Sequence, residues 1–140
     1  RTHIGSIFLW ILRYWNSKNM DLTITSSVSN DLLEKIQQVL DYITEHFSEE
    51  ITASDAAAMC NVSYSYFSRI FKQITKHSFS EYINYVRITE AEKLLASTDM
   101  NMTEIAMRTG FSTSSYFIQQ FKLQKRISPK QFRKNLLGEL

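Results

Sequence analysis

The chain has 140 residues, a formal net charge of +2, three glycines, one proline and one cysteine. That length fits one domain of about a hundred residues plus an appendage, and so few glycines and prolines suit a chain that is mostly helix. The lone Cys60 excludes an internal disulfide and suits a reducing cytoplasm. His3, His46 and His77 stand isolated, without zinc-ligand spacing, and no glycine-rich phosphate loop, Gly-x-Ser-x-Gly or paired-acid constellation offers an enzyme its chemistry. No catalytic set, cofactor or metal is expected.

The first element in chain order is an apolar run at 4–15, with Ile7, Phe8, Leu9, Trp10, Ile11, Leu12, Tyr14 and Trp15. It is too short to span a bilayer, which takes about twenty residues, and it lacks the basic stretch and cleavage site of a secretory signal. Residues 1–15 are expected to be the last helix of an upstream domain. Ile4, Phe8, Ile11 and Trp15 fall at an a/d-like spacing that suits pairing with a second copy; packing on the upstream domain alone is an equal alternative. Residues 16–30 are polar and aperiodic and read as a linker. Leu32, Leu33, Ile36, Val39, Leu40, Ile43 and Phe47 then mark the first helix of a domain at 31–140.

Within that domain one pattern occurs twice. The first copy reads Asp55-Ala56-Ala57-Ala58-Met59-Cys60-Asn61-Val62-Ser63, then Tyr66-Phe67-Ser68-Arg69-Ile70-Phe71-Lys72. The second reads Glu104-Ile105-Ala106-Met107-Arg108-Thr109-Gly110-Phe111-Ser112, then Tyr116-Phe117-Ile118-Gln119-Gln120-Phe121-Lys122. The offset is 49 up to Ser63 and Ser112 and 50 beyond, so the second copy has one extra residue, expected just inside its second helix. Ala57 and Ala106 suit the place where two helices pass closely. Asn61 and Gly110 are the residue types that end a helix in the left-handed conformation. Val62 and Phe111 read as apolar plugs, and Ser63 and Ser112 as N-caps of the second helices. Phe67 with Phe71, and Phe117 with Phe121, bury one face of those helices. Two helix-turn-helix units in register point to double-stranded DNA, whose major groove recurs once per turn.

The flanks repeat too. Ser78-Phe79-Ser80-Glu81-Tyr82 matches Ser128-Pro129-Lys130-Gln131-Phe132 at offset 50, each with a Ser-x-x-Glu/Gln capping box and the second with Pro at the first helical position. The helix after Ser78, with Ile83, Val86, Ala91, Leu94 and Leu95 on one stripe, is expected to run to about Ser97. Some eighteen residues span roughly 27 Å, near the roughly 34 Å between major-groove segments one turn apart. Charge is polarised: residues 31–55 carry −6 and residues 56–140 carry +6, so the basic half coincides with the two repeats.

From about residue 30 to 133 the chain resembles the DNA-binding domain of the AraC/XylS family of bacterial transcription regulators. The strongest segment is Thr103-Glu104-Ile105-Ala106, Gly110-Phe111-Ser112, Ser115-Tyr116-Phe117, Phe121-Lys122, Ser128-Pro129 and Phe132-Arg133. Ser63, Phe67, Ser68-Arg69 and Phe71-Lys72 carry it in the first unit, and Arg87 with residues 91–95 in the connecting helix. The sequence departs at His77 and Ile127, which replace glycine, at Phe79, which replaces proline, at Ala53 and Ala56, where larger aliphatics are usual, and at Ile118-Gln119, which replaces a frequent Ser-Arg.

The resemblance implies an all-α fold of about seven helices, two helix-turn-helix units joined by a long helix, preceded by an upstream sensing and dimerising domain. It implies a cytoplasmic, nucleoid-associated regulator, read as an activator, with double-stranded DNA and RNA polymerase as partners and no membrane association. Ser65, Ser68 and Arg69 are expected to face bases in one groove segment, and Ser114, Ser115, Ile118 and Gln119 in the next. Arg69 is suited to guanine, Gln119 to adenine and Ile118 to a thymine methyl. Lys72, Lys122, Lys125, Arg126, Lys130 and Arg133 are expected on phosphates, with Ser63 and Ser112 assisting at helix N-termini. Two other classes stay open: the DNA-binding arm of a repair or recombination enzyme, and a protein-interaction module whose DNA contact has decayed.

Overall fold

Helix-forming sequence dominates the chain, and the computed structural model, which describes residues 28–138, is built of helices with no strand among the described residues. They are α1 (Asn30–His46), α2 (Ala53–Met59), α3 (Tyr64–Thr75), α4 (Phe79–Ser97), α5 (Met102–Thr109), α6 (Ser114–Lys125) and α7 (Pro129–Leu136). The expected all-α architecture with two helix-turn-helix pairs, α2–α3 and α5–α6, is what the chain adopts. The run at 4–15, with Ile4, Phe8, Ile11 and Trp15, lies outside the described residues. The chain forms two units: residues 28–45 with 51–80, and residues 46–50 with 81–138.

In the first unit α1 starts earlier than the sequence suggests. The Leu32 amide donates to the Ser29 hydroxyl at 3.1 Å, which caps the start of the helix, and Val28 is buried. Leu32, Ile36, Val39, Leu40 and Ile43 are buried along one stripe of α1, the burial that holds an amphipathic helix in place. Phe67 and Phe71 of α3 lie 5.5 Å apart, and each meets Phe79 edge to face, at ring separations of 5.7 and 5.4 Å. Phe79 thus gives the first unit a third aromatic where the family pattern has proline, and each buried ring contributes about 1.5–3 kcal/mol.

Both helix pairs close by the same backbone device. Asn61 has φ +56° and Gly110 φ +96°, and the next amides, Val62 and Phe111, return to the carbonyls of Ala57 and Ala106 at 3.2 and 2.9 Å. Those alanines, buried to 3% and 1% exposure, leave room for the crossing. The N-caps differ from expectation. Ser63 caps α3, accepting from the Tyr66 amide at 3.2 Å, but α6 is capped by Thr113, which accepts from the Tyr116 amide at 3.1 Å. Ser112 is therefore no cap: it is the extra residue of the second copy and lies in the turn, not inside the helix. Thr113, with extended backbone at φ −143° and ψ 157°, takes the place that Ser63 holds in the first unit.

The second unit has its own core, with Ile88, Ala91, Leu95, Ile105, Ala106, Phe111, Phe117 and Phe121 buried together and Leu94, Met100, Met102, Ile118 and Phe132 packed against it. Arg87 of α4 donates from Nε to the Phe47 carbonyl at 2.7 Å and from Nη2 to the Glu49 carbonyl at 3.0 Å, and its guanidinium lies 5.9 Å from the Phe111 ring centre. Burial pulls its pKa below the usual guanidinium range, with Tyr116 opposing.

At α7, Ser128 accepts from the Gln131 amide at 3.1 Å and Pro129 stands buried at the first helical position. Only half of the expected capping box forms, because the Gln131 side chain donates forward to Asn135 at 2.8 Å. Arg133, expected on phosphate, is instead committed to backbone: Nε, Nη1 and Nη2 donate to the carbonyls of Leu95, Met100 and Thr98 at 3.1, 2.7 and 3.2 Å. These carbonyls at the end of α4 have no amide to accept from, and the forked guanidinium satisfies them.

A Cβ on Gly110 would meet the Ser48 Cα at 2.8 Å and the Phe47 carbonyl oxygen at 2.9 Å, both backbone. Gly110→Ala is therefore expected to cost about 2–4 kcal/mol in urea unfolding, from positive-φ strain and overpacking together. Asn61→Gly, at a position with the same sign of φ, should change stability by no more than about 0.5 kcal/mol.

Candidate nucleic-acid interface

Helices α3 and α6 are the second members of the two pairs, and neither contains an acidic residue. Each opens on a hydroxyl cap and ends on a left-handed cation, Lys76 at φ +65° and Arg126 at φ +69°, whose amides bond the carbonyls of Lys72 and Lys122. Cations at this end complement the partial negative charge of the helix terminus. The left-handed residue is thus Lys76 or Arg126 and not the next one, so His77 and Ile127 stand in place of glycine without positive-φ strain.

On α3, Ser65 and Arg69 are exposed and Ser68 is half-buried. The Arg69 guanidinium lies over the Tyr66 ring, 5.3 Å from its centre. On α6, Ser115 and Gln119 are exposed, whereas Ser114 is half-buried and Ile118 packs against the core of the second unit. Ile118, expected to meet a thymine methyl, is thereby drawn partly inward by the hydrophobic effect. Asn84 of α4 donates to the Tyr116 hydroxyl at 3.0 Å and to Gln120 Oε1 at 3.4 Å.

Among the expected phosphate contacts, Lys72, Lys122, Arg126 and Lys130 are exposed, as are the hydroxyl residues Ser63 and Ser112. Lys125 is not free: its ammonium pairs with Glu92 of α4, and both side chains are about two-thirds shielded. With Arg133 held on carbonyls, two of the expected cations serve the fold. The repeat supplies a cation that the sequence reading passed over. Lys76 is exposed and stands at offset 50 from Arg126, and the offset alone would have found it. Lys134 on α7 is exposed as well.

The opposite charge sits on α1, where Asp31, Glu34, Asp41 and Glu45 lie; burial and then the neighbouring Glu45 push the Asp41 carboxyl above its ordinary range. Cys60 is buried, and burial raises its thiol pKa despite Lys35 opposing, so it is poorly suited to act as a nucleophile. Among the described residues no group of three or more His, Cys, Asp or Glu is placed to hold a metal ion, and no helix is long and apolar enough to cross a membrane.

Residues 56–135 match the helix-turn-helix domain family. Among curated proteins the chain is similar to the regulatory protein PocR of Salmonella typhimurium, at 31% identity over 102 residues. That alignment takes in 73% of this chain and 34% of PocR, so the chain spans about a third of that relative. Among solved structures it is similar to the C-terminal domain of AraT, a response regulator from Geobacillus stearothermophilus, at 36% identity and a TM-score of 0.66 over 76% of this chain and 86% of that one. It is also similar to the DNA-binding domain of AdpA, a global transcriptional factor solved with a target DNA, at 25% identity and a TM-score of 0.69 over 79% of this chain and 96% of that one. With its two helix-turn-helix pairs and the long helix α4 between them in sequence, the chain belongs to the AraC/XylS family of helix-turn-helix transcription regulators.

Proposed function

We propose that this chain is the DNA-contacting part of a sequence-specific transcription regulator, each unit laying its second helix, α3 or α6, in a major-groove segment. The observation that carries the reading is the pair of hydroxyl-capped helices that bury their phenylalanines, contain no acid and leave polar and basic side chains outward. AdpA, with the same fold, has been solved on its target DNA. In this reading Ser65, Ser68 and Arg69 meet bases from α3, and Ser115 and Gln119 do so from α6, with Ser114 and Ile118 at the edge of the contact. Arg69 reads guanine through paired bonds to O6 and N7. Lys72, Lys76, Lys122, Arg126, Lys130 and Lys134 neutralise phosphates, and Ser63 and Ser112 add hydroxyl contacts. Lys125 and Arg133 hold the second unit together. The whole protein is proposed to act in the cytoplasm as an activator that engages RNA polymerase, and no catalytic role is assigned to it.

Six phosphate contacts imply a slope of roughly −5 in log K against log salt. Lys122→Ala or Arg126→Ala should each flatten it by about one unit and weaken all sequences alike. Glu92→Gln, which releases Lys125, should steepen it. Arg133→Met should lower the melting temperature and leave the slope as it was. A binding curve indifferent to salt in an anisotropy titration would remove the DNA reading altogether.

Specificity should be unequal between the units. Arg69→Ala is expected to cost about ten- to a hundredfold on the cognate site and little on random DNA, since a bidentate pair gives roughly 1–3 kcal/mol of discrimination. Gln119→Ala should cost visibly less on the same operator at the same salt; an equal loss would refute the ranking.

Pairing through Ile4, Phe8, Ile11 and Trp15 is proposed to make the protein a homodimer. Sedimentation of the 140-residue chain should then show self-association that disappears, with the fold retained, once residues 1–27 are removed. An intact chain that sediments as a monomer at micromolar concentration would exclude this pairing.

A further inference from the structure

We propose that Tyr66 is a positioning residue for base recognition, its ring presenting the Arg69 guanidinium in a fixed orientation to the groove. The inference rests on the DNA-reading role given to Arg69 above. An arginine on an exposed helix face is long and flexible, and it must lose that freedom to make two parallel bonds to one guanine. Tyr66 restricts it beforehand. The tyrosine backbone is held at the start of α3, where its amide donates to Ser63 Oγ at 3.2 Å, and the residue is half-buried, which narrows the range open to its ring. Arg69 follows at i+3, on the same face of the helix, and its guanidinium lies 5.3 Å from the ring centre, within the range where the electron-rich face attracts a cation. The attraction to the ring face spends none of the hydrogen-bond acceptors a base would offer, so the guanidinium N–H donors remain available to bond.

The second unit shows that this use of the tyrosine is not forced by the helix. Tyr116 occupies the equivalent place, one turn from the same kind of cap, with its amide on Thr113 Oγ1 at 3.1 Å. Its i+3 partner is Gln119, which has no charge to place over the ring. The Tyr116 ring stands instead edge-on to Phe111 at 5.8 Å and 64°, and its hydroxyl accepts from Asn84 at 3.0 Å. The same residue type at the same register thus holds a reading side chain in one unit and braces its helix against α4 in the other. The first unit is the one whose reader is oriented before DNA arrives.

The test is a double-mutant cycle on the 140-residue chain, using an operator selected from random duplexes and its single-base variants. Tyr66→Leu is expected to lower discrimination at the base pair read by Arg69 by about three- to fivefold, and to leave the other positions unchanged. Tyr66→Phe, which keeps the ring face, should retain discrimination. In an Arg69→Ala background, Tyr66→Leu should add no further loss at that base pair, because the two residues act as one. If Tyr66→Leu fails to fold, Tyr66→Met removes the same ring with an unbranched helix former and gives the same reading. Unchanged discrimination on removing the ring, an equal loss at every position, or additive losses in the cycle would each overturn the proposal. Arg69→Ala with full discrimination retained would overturn the base-reading role itself, and the tyrosine's part with it.

Discussion

The amides of Val62 and Phe111 each turn back to the carbonyl of an alanine five residues earlier, and both units depend on that return. A chain makes it only by passing one residue through positive φ, which sets where the second helix starts and which way it leaves. Ala57 and Ala106 supply the receiving carbonyls and, with a single methyl each, the clearance for the crossing. Asn61 and Gly110 perform the reversal in different surroundings. Asn61 is exposed and tolerates a side chain, whereas Gly110 is backed by Phe47, Ser48 and the Arg87 side chain, which leave no room for a Cβ. One turn tolerates substitution and the other does not, although the two read alike in the sequence.

Arg87 shows why. Its guanidinium ties the carbonyls of Phe47 and Glu49 beside Gly110 and Phe111, so the short segment after α1 becomes the backing of the second turn. A partly buried charge is costly unless its donors are used, and here Nε and Nη2 both meet backbone carbonyls of the segment that follows α1. Arg133 repeats the device at the end of α4. Three cations of the basic half, Arg87, Lys125 and Arg133, are thus part of the architecture. Formal charge therefore overstates what is left for phosphate.

Periodicity and turn chemistry made the helices, the two pairs and the core phenylalanines legible, because each follows from local rules: i, i+4 spacing, left-handed residues and hydroxyl caps. Less legible were the places where a side chain has two possible partners. Ser112 and Thr113 are both good caps, and only the path of the backbone after Phe111 selects Thr113. Gln131 has the spacing of a capping box, yet Asn135 competes for its amide and wins. Arg133 and Lys125 look like any other basic residues near a helix end until Leu95, Thr98, Met100 and Glu92, more than thirty residues earlier, are folded beside them. Ile118 likewise reads as an outward position of α6, and only the packed core shows that it leans inward.

These commitments give the two units different characters. The first has few exposed cations at its reading helix, Lys72 and Lys76, but one of its outward side chains is an arginine whose guanidinium lies over a tyrosine ring. The second has Lys122, Arg126, Lys130 and Lys134 exposed on α6, its end and α7, while its reading face is reduced to Ser115 and Gln119, with Ile118 turned to the core and Gln120 bonded by Asn84. Phosphate contacts position a protein without specifying sequence, and base contacts do the reverse. In the proposed reading the second unit therefore supplies most of the grip and the first most of the discrimination. Such a division tolerates sequence drift under α6, where losing one amide contact changes little, and penalises it under α3, where a mismatched guanine leaves a charged fork without its acceptors.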